Sequence, residues 1–413
     1  MNKASQAVLF LRNLAIGMMS PVLTLALLAH GAAISTISLL LGAYSLTVIL
    51  AEFPSGVFAD VIGRKFAFMI SIVLLFFSYG VFLFARSLPL LFFAMVLSGL
   101  GRAFSSGSID ALVIDDATAN GARLSGITAK ISILESSGLA AGALIGGLVS
   151  GLGERYAGNL ITNIAICAVL FFLTLLYIHE PPHTRASRQK PGSRVTIGAQ
   201  MKAGLQFMLG KGPARPLFFF AFAAGFALLS LETYWQPGFA SAGPSQWMFG
   251  TLSFAGFACV MIGSKLSEYF LTRFKDSGMA LLLSLKALLG LGLILLAVQF
   301  AKAGFVFVYL FIYILIGGGG VAENTLLNRI VPSSQRAGVL SLFSFVLQVG
   351  GLAASAAGFL ISMLYGFRSM WLNAGLLLIV SVSVFALIRL RHRRSGHTVQ
   401  LSAGNEHAAP GQE

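Results

Sequence analysis

The chain has 413 residues, 57% of them hydrophobic and only 10% charged, with a formal net charge of +14 and a mean hydropathy of +0.86. That much apolar surface cannot be hidden inside a soluble globule of this length, so a soluble enzyme or binding module is excluded and an integral membrane protein is expected. The basic excess would suit nucleic acid, but it follows the loops between apolar runs rather than forming one patch.

Runs long enough to cross a hydrocarbon core of roughly 30 Å recur along nearly the whole chain. Twelve are predicted, starting near Val8, Ile34, Arg64, Leu88, Gly126, Gly158, Leu217, Trp247, Gly278, Phe305, Ala337 and Phe367. The first lacks the small-residue cleavage site of a signal peptide and is expected to be a retained helix. Between the second and third runs lies GVFADVIGRK, in which Gly56, Asp60, Gly63, Arg64 and Lys65 place one acid and two adjacent bases in a tight turn.

Charges within the spans are the next signal, because each costs roughly 2.5 to 3.5 kcal/mol at a helix centre and must face a cavity or a partner. Arg102 lies about two-thirds along the fourth span, followed by Asp110 and, near the cytoplasmic surface, by Asp115 and Asp116. Glu135 sits about nine residues into the fifth span, roughly 14 Å along a helix and so near the midplane, where a carboxyl can exchange a proton. It is the leading proton-coupling candidate. Gly138, Gly142, Gly146 and Gly147 follow on the same span at a spacing that lets a neighbouring backbone approach closely.

From Glu180 to about Arg194 the sequence turns polar, basic and proline-containing, a linker between two sets of six spans. Residues 195–211 show helical periodicity beside Lys202 and Lys211, as a short helix on the inner membrane surface would. In the seventh span Glu232 stands beside Tyr234, Trp235 and Gln236, a cluster suited either to an outer gate and substrate contact or to an interfacial anchor. Lys286, in the ninth span, either pairs with an acid such as Glu268, reaches an interface, or holds an anionic substrate. Glu323 follows the glycines 317 to 320 in the tenth span and, with Asp110, is a candidate inner-gate or salt-bridge residue. The tail beyond residue 392 is expected to be basic and disordered.

The cations settle orientation. Only Arg86, Arg155, Lys302 and Arg368 fall on the outer side, and Arg102, Lys265 and Lys286 fall within spans; the rest of the 28 Lys and Arg, Arg12 included, fall in segments that loop parity makes cytoplasmic. Both termini are therefore expected inside. Trp235, Trp247 and Trp371 are expected at outer interfaces. A constant offset of 213 superposes Gly107 on Gly320, Asp110 on Glu323, Arg123 on Arg336 and Glu135 on Gln348, and Gly138-Leu139-Ala140-Ala141 on Gly351-Leu352-Ala353-Ala354. The halves read as diverged copies. Residues 1–179 and 213–392 are expected as the six-helix halves, 180–212 as the linker and 393–413 as the tail.

The turn from Gly56 to Lys65 resembles the signature loop between the second and third helices of the major facilitator superfamily of secondary transporters. A degraded echo, Gly263, Glu268, Arg273 and Lys275, stands at the equivalent junction of the second half. The resemblance implies a fold that is all-α and integral to the membrane, with twelve transmembrane helices in two halves related by a pseudo-twofold axis along the membrane normal, and a site near the midplane between them. It also implies that Arg64 pairs with Asp115 or Asp116 as a conformational latch. The fifth-span glycines resemble a signature of the drug/proton antiporter branch, although Ala143 stands where that signature has proline. Arg102 resembles that branch's fourth-helix arginine, with Gly107 five rather than four residues later; its implied role is to help set when a nearby acid releases its proton.

An enzyme is not expected. No GxxxxGK[ST] loop is present, and the serines lack a nucleophile-elbow context. Cys167 and Cys259 lie in apolar spans and the six histidines show no ligand spacing, so no metal or other cofactor is expected. The sequence predicts a carrier of the bacterial inner membrane, a monomer whose partners are a small-molecule substrate, protons and membrane lipid, without nucleic acid. Its proton-coupling candidates are Glu135, Arg102 and Glu232, and its substrate-cavity candidates Tyr234, Trp235, Gln236 and Lys286. Export of small amphipathic compounds is the first reading. Uptake of a metabolite or organic anion, and a non-transporting sensor or assembly factor, are the alternatives.

Overall fold

The computed structural model describes residues 2–106, 108–119, 124–180, 215–274, 277–331 and 336–405, and every regular element among them is helical. Gly107, Arg123, Lys275, the linker beyond Glu180 with its surface helix, and the side chain of Asp60 lie outside what is described.

The first span is two helices, α1 (Lys3–Met19) and α2 (Leu23–Ala29), bent by 52°. Pro21 sits at the break, where its missing N–H and its ring stop α1 from continuing. The second and third spans are α3 (Ile34–Val61) and α4 (Arg64–Phe84). Gly63 joins them at φ 137°, a backbone conformation that L side chains rarely adopt. The fourth span is interrupted between α5 (Leu88–Ser105) and α6 (Ile109–Ala119); α7 (Leu124–Val149) and α8 (Ala157–Tyr177) complete the first half. The second half comprises α9 (Arg215–Ala240), α10 (Trp247–Arg273), α11 (Gly278–Ala297), α12 (Lys302–Ile330), α13 (Arg336–Tyr365) and α14 (Arg368–Asn405). The helical backbone of α14 thus continues into the tail that composition marks as disordered. Among the described residues eleven spans, α5 with α6 counted as one, are long and apolar enough to cross a membrane, and twelve when α1 and α2 also count as one span.

Pairing repeats between the halves. The contact of α1 with α7 is mirrored by α9 with α13, those of α3 and α4 with α5 by α10 and α11 with α12, and that of α4 with α8 by α11 with α14. The halves meet through α3 against α13 and α7 against α10. Each half holds an apolar cluster toward each end of its spans. In the first half these centre on Phe68, Ile72 and Val113, and on Leu27, Phe82 and Leu91. In the second they centre on Phe218, Leu282 and Phe343, and on an aromatic group of Trp235, Phe239, Phe305, Tyr309 and Trp371.

That aromatic group corrects one expectation. Trp235 and Trp371 are buried, and only Trp247 is exposed at a helix end. The indole N–H of Trp371 donates to Ser230 O at 3.1 Å, so this ring packs as core rather than as an interfacial anchor.

Candidate functional site

The fifth-span glycines explain how charge gathers in the first half. A methyl group added at Gly138, Gly142 or Gly146 would collide with the carbonyls of Phe10, Leu14 and Met18, so α7 lies backbone to backbone on α1. Close packing of this kind delivers Glu135, one turn earlier on α7, to Arg12 on α1. Arg12 Nη2 donates to Glu135 Oε1 at 2.5 Å, and Nη1 donates to Asp110 Oδ2 at 2.9 Å. One guanidinium therefore faces two carboxylates, which leaves one negative charge in excess. The Arg12 side chain is 8% exposed, while Asp110 and Glu135 keep 29% and 33% accessible.

Arg12 corrects the census of cations: it is not a loop base but lies within α1, buried. The sequence held a signal for it, since Val8 to Leu11 and Leu14 to Ile16 flank it with apolar residues on both sides. Only a few residues separate it from the start of the apolar run, which is why hydropathy alone places it in the cytoplasmic loop.

Arg102 is not in this cluster. It lines a cavity of about 270 Å³ within the first half, beside Arg12, Tyr44, Ser71, Ser98 and Ser105, and has no ion pair or side-chain hydrogen bond among the described residues.

The second half holds two acids in different settings. Glu232 is accessible although Thr233 to Gln236 beside it are buried, and it accepts a hydrogen bond from the Tyr313 hydroxyl at 2.5 Å. Glu323 is paired with Lys286 at 3.1 Å, with 7% and 5% of the two side chains exposed. Glu323 and Asp110, equivalent in the repeat, each take a cation from a neighbouring span. Glu268 instead pairs with Lys265 at 2.9 Å on an exposed helix face.

At the end away from the Gly63 turn the halves are tied together by Gln236. Its Oε1 accepts from Thr24 N at 2.7 Å and Leu25 N at 3.4 Å, and its Nε2 donates to Ser20 O at 2.8 Å. The break in the first span exposes these backbone groups, and the glutamine satisfies them. Tyr234 OH donates to Gly358 O at 3.2 Å, and Ser38 of α3 lies against Gly358. Gly147 meets Gly250 of α10 at the same end.

At the opposite end Arg64 Nη1 donates to Asp115 Oδ2 at 2.6 Å, and the Arg64 N–H donates to Glu180 Oε1 at 3.1 Å. A Cβ at Gly63 would lie 2.6 Å from Glu180 Oε2, which that flexible side chain can relieve by moving, so it is the positive φ that calls for glycine here. Lys65 Nζ donates to Leu175 O at 2.9 Å. The turn is thereby fastened to both α6 and the end of α8. Asp116 has a partner of its own. Glu180 was missed by sequence reading because it opens a polar linker. Gly56 touches nothing within 4 Å of a built Cβ. No group of three or more His, Cys, Asp or Glu among the described residues could hold a metal ion.

Comparison with known proteins follows the same outline. The sequence model of the Major Facilitator Superfamily matches residues 7–354. An uncharacterized MFS-type transporter, YxaM of Bacillus subtilis (strain 168), is 21% identical over 383 residues, covering 92% of this chain and 93% of that protein. The quinolone resistance protein NorA of Staphylococcus aureus is 26% identical over 181 residues, 43% of this chain and 45% of NorA, so the match spans less than half of either. Among solved structures, the nucleoside transporter NupG superposes with a TM-score of 0.76 at 16% identity, covering 94% of this chain and 99% of that one. A D-xylose-proton symporter superposes with a TM-score of 0.69 at 14% identity, covering 92% and 96%.

Proposed function

The chain belongs to the major facilitator superfamily of transporters, and from that premise we propose that it is a secondary carrier exporting small amphipathic organic compounds in exchange for protons. It works by alternating access in a bacterial inner membrane, as a monomer with both termini in the cytoplasm. The cation placement supports that orientation. In that orientation the ends tied together near Gln236 and Gly147 are the outer ones.

The observation that carries the coupling is the set Arg12, Asp110 and Glu135. Two partly accessible carboxylates compete for one guanidinium. A proton on either carboxylate leaves a neutral pair, and its loss restores the excess charge. Arg12 stands on α1, and the Ser20 that Gln236 holds lies at the far end of the same helix. A charge change at the middle of α1 can thus act on the gate at its end through one rigid element. Export is supported by the partial likeness to NorA and by the glycine face, which resembles that of the antiporter branch.

The test uses everted membrane vesicles acidified by respiration. Adding a transported compound, screened first by thermal stabilisation of purified protein, is expected to release accumulated protons. Whole-cell accumulation that instead rises with the proton gradient sinks export and leaves the second reading, proton-driven uptake of a small organic anion. The unpaired guanidinium of Arg102 favours that second reading.

A further inference from the structure

We propose that the cavity inside the first half is a binding site for a small amphipathic organic anion, whose charged head is held by Arg102. The proposal rests on the carrier reading above and narrows its substrate class. The cavity is walled by α1, α3, α4, α5 and α8, with no residue from the second half, whereas the fold leads one to look for a site between the halves. At about 270 Å³ it lies just below the usual size range of small-molecule pockets, roughly 300 to 1,000 Å³.

Its lining is ordered along the spans. Leu23, Leu41, Phe82 and Met95 wall one end, and Arg12, Ser71, Arg102 and Ser105 the other. From Met95 to Ser105 along α5 is about 15 Å at the rise of a helix. An elongated ligand with an apolar body and a polar head matches this order.

Charge selects the head. Both charged residues that line the cavity are arginines, and no carboxylate lines it. Arg12 is already engaged by Asp110 and Glu135, whereas Arg102, beside the neutral Tyr44, makes no ion pair or hydrogen bond with a described side chain. The Arg102 side chain is accessible, so a ligand can reach its guanidinium, and a carboxylate is the natural bidentate complement of that group. A second observation points to the same place: Ser71 Oγ is buried at this end with no hydrogen-bond partner. A carboxylate seated on Arg102 offers an acceptor to that hydroxyl.

The test is calorimetric titration of the full chain in lipid nanodiscs with 2-naphthoate, its neutral analogue 2-naphthamide and its cationic analogue 2-naphthylmethylammonium. Naphthoate is expected to bind saturably and at least tenfold more tightly than either analogue. Arg102→Gln is expected to weaken naphthoate at least tenfold and leave naphthamide unchanged, while Arg102→Lys restores part of the loss. Unaltered thermal unfolding of Arg102→Gln shows that the fold is intact; should it unfold early, Ser98→Phe, which fills the cavity, must abolish naphthoate binding. Absence of naphthoate binding, equal affinity for the neutral analogue, or indifference to Arg102→Gln in a folded protein each overturns the site. Binding that depends on Arg102 without proton release in vesicles keeps the site and overturns the export reading instead.

Discussion

Gly147 and Gly250 meet backbone against backbone across the two halves: a Cβ built on Gly147 would lie 2.6 Å from Gly250 Cα, and one on Gly250 would lie 2.8 Å from Gly147 Cα. Nothing flexible stands there to move aside. Gly147→Val is therefore expected to hold these ends, outer in the proposed orientation, apart. Labelling of a Ser38→Cys reporter by a membrane-impermeant maleimide, added outside whole cells, should rise severalfold. Gly56→Ala, whose methyl group meets nothing within 4 Å, is the control and should leave labelling unchanged. Equal labelling in both variants would contradict the closure.

Removing charge from the first-half cluster should separate coupling from folding. Glu135→Gln leaves Arg12 paired with Asp110 at 2.9 Å, so the protein should fold normally while substrate-driven proton release drops at least tenfold. Arg12→Gln leaves two carboxylates without their cation. Breaking a buried pair costs about 3 to 5 kcal/mol, and the lower figure applies because both carboxylates stay partly accessible. Denaturation of the purified variants reads the second effect. Wild-type proton coupling in Glu135→Gln would dismiss this acid as the proton carrier.

The Arg64 and Asp115 pair should act on rate rather than on affinity. With 37% of the Asp115 side chain exposed, the pair contributes on the order of 0 to 1 kcal/mol to stability. Asp115→Asn is expected to slow turnover severalfold while substrate binding stays within twofold. Gly63→Ala should be more damaging, since it strains a backbone held at φ 137° and displaces the Glu180 carboxylate from the Arg64 N–H. Lost binding with an unchanged transport rate would argue for a substrate role instead.

Lys286 and Glu323 offer a double-mutant cycle. Lys286→Met leaves Glu323 buried without its cation, with an expected loss of about 3 kcal/mol or more. Lys286→Met combined with Glu323→Leu removes both charges and should recover most of that loss. Additive destabilisation, read by thermal unfolding, would mean that the two residues do not depend on one another.

What the sequence disclosed depended on the reach of each interaction. Span starts at Ile34, Arg64, Leu88, Trp247 and Gly278 coincide with observed helix starts, because hydropathy is a local property. The internal repeat anticipated the matching helix pairings, and the turn at Gly63 led directly to Arg64 and Asp115. The partners of buried charges were another matter. Arg12 and Glu135 are 123 positions apart, and Lys286 and Glu323 are 37 apart on antiparallel spans. Which acid meets which base follows from helix rotation and from the close approach that glycines permit, neither of which is written in hydropathy. The tryptophans show the same limit: being near the end of a span places a residue at a depth, but not on a lipid-facing or core-facing side.

Gln236 has one further consequence. Its amide occupies Thr24 N, Leu25 N and Ser20 O, backbone groups that an unbroken helix would keep for itself. When the far end opens, these groups must find new partners at once, since bare peptide N–H and C=O are not tolerated in an apolar setting. Water is the ready substitute. Opening of this end is therefore expected to hydrate it, so that a solute crosses a small aqueous vestibule rather than a greasy slit.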